Sequence, residues 1–266
     1  MQEYIDRLVN ETPDELMKGP CSTPAANHLF QVNDNAPLLD VPKSKTYHHL
    51  TATILYLAKK TRPDIQVAVS FLSTRVQQPT IDDWKKLGRC IRYLSSTRDL
   101  VLTLEANIDG IIQWWVDASY AVHPNMRSHT GAPMTLGKGS PFSMSSKQKI
   151  NTRSSTEAEL VGVNDAMALI IWTRLFVEAQ GYSVKDNVVY QDNQSAILLE
   201  NNGKRSSSKK TRHIEIRCFF VTDNIRRKQM RVEYCPTEDM RADFMTKPLQ
   251  GAAFQKFRMD TLNLQQ

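Results

Sequence analysis

The sequence predicts an α/β protein: a mixed sheet with helices packed on it, preceded by a small helical segment. Two observations predict it. Up to about residue 99 the apolar residues recur at helical spacing. Beyond that point short alternating runs interleave with longer helical ones, in the order three strands, helix, strand, helices, strand, helix.

The opening MQEYIDRLVN reads as a short amphipathic helix. Residues 19–46 hold four prolines among Ser, Thr and Asn and are expected to be irregular. From Tyr47 the residues Leu50, Ile54, Leu57 and Ala58 share one helix face, Arg62-Pro63-Asp64 interrupts the run, and Ile65, Val69 and Leu72 resume it. After Gln78-Pro79-Thr80 a third helix carries Trp84, Leu87, Ile91 and Leu94. Its Asp82-Asp83 pair falls in the first turn, where acidic residues favour the N-terminal dipole, so the pair reads as structural and not as a polymerase metal site.

Segments 100–105 and 111–117 read as strands. Segments 129–137 and 141–146 read as two more, joined at the hairpin signal Gly137-Lys138-Gly139. A long helix is expected over about 156–180, with Leu160, Val163, Met167, Ile171 and Leu175 as its buried stripe and Gly181 as its stop. Strand 187–192, helix 194–201, a basic loop, helix 212–228, strand 230–235 and a helix from Thr237 complete the order. Four segments follow: an irregular N-terminal part with a short helix (1–46), a helical segment (47–99), a sheet-bearing domain (100–250) and a C-terminal tail (251–266).

With 266 residues, 41% hydrophobic and 23% charged, the composition is that of an ordinary soluble protein. No apolar run approaches 18 residues, and the N-terminus is charged, so neither a membrane span nor a secretory signal is expected and the setting reads as intracellular. Cys21, Cys90, Cys218 and Cys235 are widely spaced, which argues against a zinc site or a disulfide framework. The net charge of +6 is uneven: residues 1–108 hold 13 basic and 12 acidic side chains, residues 109–266 hold 21 and 16. An excess of positive charge around candidate metal-binding acids suits a polyanionic substrate.

Four acids stand at element boundaries in the last 160 residues or so. Asp117 ends IIQWWVD, Glu159 lies in the opening turn of the long helix, Asp192 ends VVYQD, and Asp243 sits in TEDMRADFMTK. Converging carboxylates can hold two divalent cations that clamp the attacking and leaving oxygens of a phosphodiester. Each acid also has a structural reading: Asp117 as a turn cap, Asp192 as a helix N-cap, Asp243 as a partner of Lys247. In SSTEAEL two capping boxes overlap, Ser154 with Glu157 and Thr156 with Glu159. Glu159 borders the buried stripe and Glu157 points further toward solvent, so capping falls to Glu157 and metal binding to Glu159. Trp114 and Trp115 offer stacking surfaces but read as core. Lys204, Arg205, Lys209, Lys210 and Arg212 form an acid-free loop that reads as a phosphate-tracking element or a solvated loop.

In SSTEAEL, YQDNQSAI, KTRHIEIR and EYCPTEDMRADFMTKPL, in that order, the chain resembles the ribonuclease H domain of copia-type LTR retrotransposon polyproteins. The stretch from YHHLTATILYLAKKTRPDIQVAVSFLS through WKKLGRCIRYL resembles the segment joining reverse transcriptase to ribonuclease H. The resemblance implies a ribonuclease H-like five-stranded mixed sheet, with Asp117, Glu159, Asp192 and Asp243 as catalytic metal ligands. It implies two Mg²⁺ ions, with Mn²⁺ as the alternative. The expected activity is hydrolysis of the RNA strand of RNA–DNA hybrids, with Asn193 joining the basic loop in nucleic-acid binding and the polyprotein's reverse transcriptase as partner. The expected location is intracellular, in a cytoplasmic virus-like particle or the nucleus. Two departures stand out. Residues 233–243 lack the His that many ribonucleases H place before the last Asp, leaving His213 as a substitute or a capping residue. The Tyr-x-Asp-Asp polymerase signature is also absent, so the chain is expected to be a fragment or decayed remnant. The competing function is a catalytically inactive nucleic-acid-binding or scaffold remnant.

Overall fold

The computed structural model describes residues 1–107, 109–203 and 215–264. It divides into two compact units: residues 1–103 with 247–266 (unit 1), and residues 104–246 (unit 2).

Unit 1 is helical. It contains α1 (Gln2–Glu11), α2 (Val41–Lys60), α3 (Gln66–Ser73) and α4 (Ile81–Ser96). Helix α2 starts six residues earlier than the periodicity suggests, so the expected boundary at 46/47 falls inside it. Its cap is Asp40, whose carboxylate accepts the Lys43 N–H at 2.8 Å, and Pro42 lies in the first turn. Proline there costs no helical hydrogen bond, and counting it as a breaker hid the helix start. The interruption at Arg62-Pro63-Asp64 is a buried ion pair. Arg62 donates to Asp64 at 2.9 and 2.7 Å, and the Tyr93 hydroxyl adds a third bond at 2.6 Å. At the start of α4 the Thr80 hydroxyl accepts the Asp83 N–H at 3.3 Å, and the Asp83 carboxylate accepts the Thr80 N–H at 2.9 Å. The Asp82-Asp83 pair is structural, as its position predicts.

Unit 2 is built on a mixed sheet. Its elements are β1 (Glu105–Ala106), β2 (Ile111–Trp115), β3 (Asp117–Ser119), β4 (His129–Thr135), β5 (Gly137–Lys138), β6 (Phe142–Lys147), α5 (Ser155–Ala179), β7 (Asp186–Gln191), α6 (Gln194–Asn202), α7 (Glu215–Arg226), β8 (Arg231–Tyr234) and α8 (Asp243–Thr246). Strand β4 is antiparallel to β6 on one side and to β2 and β3 on the other; β7 adds parallel to β2, and β8 parallel to β7. With β2 and β3 occupying one position in succession, the sheet has the five strand positions expected of a ribonuclease H-like fold. The expected strand 100–105 is reduced to β1, which pairs with β5. Val101 and Leu104 are exposed, so the apolar run lacks the burial that favours a core strand. The expected strand 111–117 is divided at Val116, whose N–H turns to Tyr190 O at 3.0 Å while Asp117 pairs with Gly131.

The unit 2 core joins Ile112, Trp114 and Val116 to Val163, Ala166, Met167 and Ile170 of α5. Trp114 is fully buried; Trp115, on the opposite sheet face, stacks on Tyr190 with ring centres 5.2 Å apart, so both are core side chains. The buried stripe of α5 differs from expectation: Ile170 replaces Ile171, and Leu175 is exposed. Steps of four residues drift about 40° each around a helix, so a stripe of such steps leaves the sheet within three. By length and composition α5 could cross a membrane, contrary to the expectation that no segment would. Here its apolar face is the core of unit 2. Gly181 ends the helix region at φ +88°, as expected.

The last helix, α9 (Gly251–Leu262), returns to unit 1, where Phe254, Phe257 and Leu262 are buried. The segment expected as a C-terminal tail is therefore mostly a packed helix.

Candidate metal centre

Strands β2 and β7 run parallel, with Trp115 opposite Tyr190. Two residues beyond each stand Asp117 and Asp192, which this register brings level at the carboxyl ends of neighbouring parallel strands. That is the edge where open α/β sheets gather ligands.

Glu159 comes from the first turns of α5. Ser154 caps the helix by accepting the Glu157 N–H at 3.2 Å, and Glu157 reaches back to the Arg153 N–H at 2.7 Å. Glu157 is thus committed to the helix start, as expected, although it is buried and not solvent-facing. Glu159 lies 4% exposed, and one ligand atom from each of Asp117, Glu159 and Asp192 lies within 4.8 Å of the others. Burial, followed by the charge of Asp117 and then of Asp192, pushes the Glu159 carboxyl well above its usual range; the Ala118 N–H opposes this. Glu159 Oε2 is buried with no hydrogen-bond partner. A cation at this point would relieve the repulsion and coordinate the orphaned oxygen, so the residues fit a divalent metal.

Asp192 escapes the capping role that would otherwise explain it. Asn193 is the N-cap of α6, accepting the Ala196 N–H at 3.1 Å, while Asp192 Oδ2 accepts the Thr237 hydroxyl at 3.0 Å. Among the described residues the three-carboxylate group does not include Asp243, which opens α8 and is itself buried.

Helix α8 is tied to the sheet around Asp117. Thr246 Oγ1 donates to Asp117 Oδ2, Ser119 Oγ donates to Thr246 O at 3.3 Å, and Ser145 Oγ donates to Met245 O at 2.7 Å. Because that hydroxyl proton is engaged, Ser145 accepts from His129 Nε2 at 2.8 Å, and His129 Nδ1 in turn accepts from His123 Nε2 at 3.0 Å. Burial pulls His123 down to about 4 and His129 to about 3, so both are neutral at pH 7. Sequence reasoning missed Thr246 and this relay. It also missed Gly131, beneath α8, where any Cβ would lie 2.7 Å from Met245 Cβ. The nearest sequence signal was a small residue inside a buried strand, which often marks close backbone approach. Lys204, Arg205, Lys209, Lys210, Arg212 and His213 lie outside the described residues.

No family model matches the chain. The Pol polyprotein of transposon RE1 from Arabidopsis thaliana is 33% identical over 96% of this chain and 17% of its own length; that of RE2 from the same plant is 33% identical over 82% and 15%. The Pol polyprotein of transposon TNT 1-94 from Nicotiana tabacum is 29% identical over 92% and 19%. This chain therefore spans less than a fifth of the length of these relatives. Among solved structures, a foamy viral protease-reverse transcriptase in complex with double-stranded DNA aligns at a TM-score of 0.48 and 10% identity, covering 89% of this chain and 35% of that one. The sheet order, reached without that superposition, is ribonuclease H-like. The chain belongs to the retrovirus-related Pol polyproteins of copia-type transposons, and its unit 2 carries their ribonuclease H-like fold.

Proposed function

We propose that unit 2 is a metal-dependent endonuclease that hydrolyses the RNA strand of RNA–DNA hybrids within a retrotransposon reverse transcriptase polyprotein. The observation that carries this reading is the convergence of Asp117, Glu159 and Asp192 within 4.8 Å, with a buried, unpartnered Glu159 oxygen among them. Asp117, Glu159 and Asp192 would hold Mg²⁺ or Mn²⁺, and Asp243 would complete the set from α8. Bound divalent ions supply water activation and charge stabilisation at the leaving oxygen. The chain's own part is positional: Thr246 fixes one Asp117 oxygen, and the Asn193 cap leaves Asp192 to face the site. Lys204, Arg205, Lys209, Lys210 and Arg212 are the proposed phosphate contacts. Hybrid selectivity would rest on 2′-hydroxyl contacts and groove shape, with little base preference.

The test is cleavage of an end-labelled RNA–DNA hybrid in Mg²⁺ by the full chain, beside Asp117→Asn and Asp192→Asn. Cleavage by the wild type that both substitutions abolish supports the reading. Activity surviving both substitutions would refute the site, and hybrid binding without turnover in the wild type would establish a scaffold instead.

A further inference from the structure

Helix α5 has two apolar faces. Val163, Ala166, Met167 and Ile170 point into the unit 2 core. On the opposite side Ala168, Trp172, Leu175, Phe176 and Ala179 are exposed and, at about 3.6 residues per turn, share about 100° of arc. No charged side chain interrupts this outer stripe. Trp172 is 58% exposed, Leu175 53% and Phe176 47%, and Tyr182, just past the helix end, is 71% exposed. The outer stripe is what makes the helix apolar enough by composition to cross a membrane. A helix that is apolar all round is ordinarily buried all round, and a contiguous exposed apolar patch marks an interaction surface.

We propose that this stripe is the interface of a twofold homodimer, with α5 packed antiparallel on α5 of a second copy. The order of its side chains, small, large, large, small, is the same in both directions. With the axis beside residues 173 and 174, Trp172 meets Leu175 of the other copy and Ala168 meets Ala179, so every contact is made twice. The area suffices as well. At about 150–250 Å² for a large side chain, the exposed fractions leave roughly 400 Å² of apolar surface per copy. Two copies contribute about 800 Å², which at about 65% non-polar makes a total near 1,200 Å², the lower end of stable interfaces. The platform is rigid before docking: the Trp172 and Phe176 rings stack with centres 4.9 Å apart and planes 15° from parallel, so little side-chain freedom is lost. A lipid surface fits less well, because a helix lying on a membrane carries Lys and Arg beside its apolar face. Between residues 166 and 180 the one basic side chain is Arg174, which donates to Glu178 and to the Lys228 and Gln229 carbonyl oxygens. The proposal does not depend on the nuclease reading, since association is read without metal or substrate.

The experiment is sedimentation equilibrium of the full chain in EDTA from about 1 to 100 µM, where an interface of this size associates. The apparent mass is expected to rise from 30.3 kDa toward twice that value. Trp172→Glu and Leu175→Lys, both at exposed positions, should each weaken association about tenfold or more while leaving the circular dichroism unchanged. An equimolar mixture of the two variants should dimerise again, because the antiparallel axis sets the new acid against the new base. A wild type that stays monomeric throughout overturns the proposal, and flotation of that monomer with phosphatidylcholine vesicles would assign the stripe to lipid instead. A dimer that both single variants retain, or variants that fail to pair when mixed, overturns it too.

Discussion

Replacing Gly131 by alanine tests the seating of α8. A Cβ at this position would lie 2.7 Å from Met245 Cβ, 2.7 Å from Thr246 Cγ2 and 2.9 Å from the Ala242 carbonyl oxygen. None of these is the far end of a flexible side chain, so the segment carrying α8 must move. Overpacking of this kind costs about 1–3 kcal/mol. In a chain of this size that lowers Tm by roughly 3–10 °C. The movement also pulls Thr246 away from Asp117, and a displacement of about 1 Å at a reacting centre can cost on the order of a hundredfold in rate. Gly162, inside α5, is the matched control: its Cβ would meet Thr130 Cγ2 at 3.5 Å and Ala118 Cβ at 3.6 Å, ordinary contact distances. Gly162→Ala should therefore stabilise the protein by roughly 0.5–1 kcal/mol through helix propensity. Thermal unfolding and hybrid cleavage of the two variants are the assays. A Gly131→Ala protein with unchanged Tm and activity, or a Gly162→Ala protein as destabilised as Gly131→Ala, would refute the account of how α8 is seated.

Thr246→Val deletes the hydroxyl that holds Asp117 and should reduce cleavage about tenfold or more, whereas Thr246→Ser should restore most of it; equal loss in both variants would make the contact irrelevant. Glu200 is fully buried, and burial pushes its carboxyl up to about 8, with the Gln191 amide opposing; neither group has a well-formed hydrogen bond. Its raised pKa gives stability that is present below about pH 4.5 and lost as pH rises toward about 8. Glu200→Gln should therefore gain a few kcal/mol more over wild type at pH 8 than at pH 5 in urea titrations. The buried His123–His129 pair has the opposite sign, because both pKa values are depressed below 6.5. Their contribution is complete above about pH 6.5 and falls as the unfolded chain takes up protons down to about pH 3–4. Acid unfolding of His123→Gln should accordingly show a shallower dependence on pH between 6 and 4, and an unchanged slope would mean that the histidine is not buried neutral.

Local chemistry made much of this protein legible from its sequence. Ser154 and Glu157 stand at the three-residue spacing of a capping pair, and Ser154 accepts the Glu157 N–H as that spacing implies. Asp82-Asp83 was legible as an acidic first turn, and the structure adds a capping box between Thr80 and Asp83. Asp117 and Asp192 could be placed at strand ends, but their juxtaposition depends on the parallel register of β2 and β7, a non-local fact that no spacing encodes. The contest between capping and metal binding at Asp192 was decided by its neighbour, since Asn193 takes the cap. Thr246 and Gly131 were invisible because their roles arise where α8 meets β3 and β4, residues more than a hundred positions apart in sequence. Of the run at 100–105, Glu105 enters the short β1 opposite Lys138, while the apolar Val101 and Leu104 stay exposed.

Unit 1 is written in two instalments, with the whole of unit 2 between them. The Thr103 N–H meets Leu262 O at 3.0 Å, and Phe254 stands edge-on to Tyr93 with ring centres 5.7 Å apart, so the later instalment closes on the earlier one. A ribosome therefore delivers every residue of the acidic centre before it delivers the helix that completes unit 1. At about 5–20 residues per second, unit 2 has a head start of one to a few seconds. A chain stopped just short of Gly251 should keep the sheet and its carboxylates while leaving Tyr93 and its neighbours uncovered, a defect that limited proteolysis of nascent or truncated chains would expose in unit 1 alone.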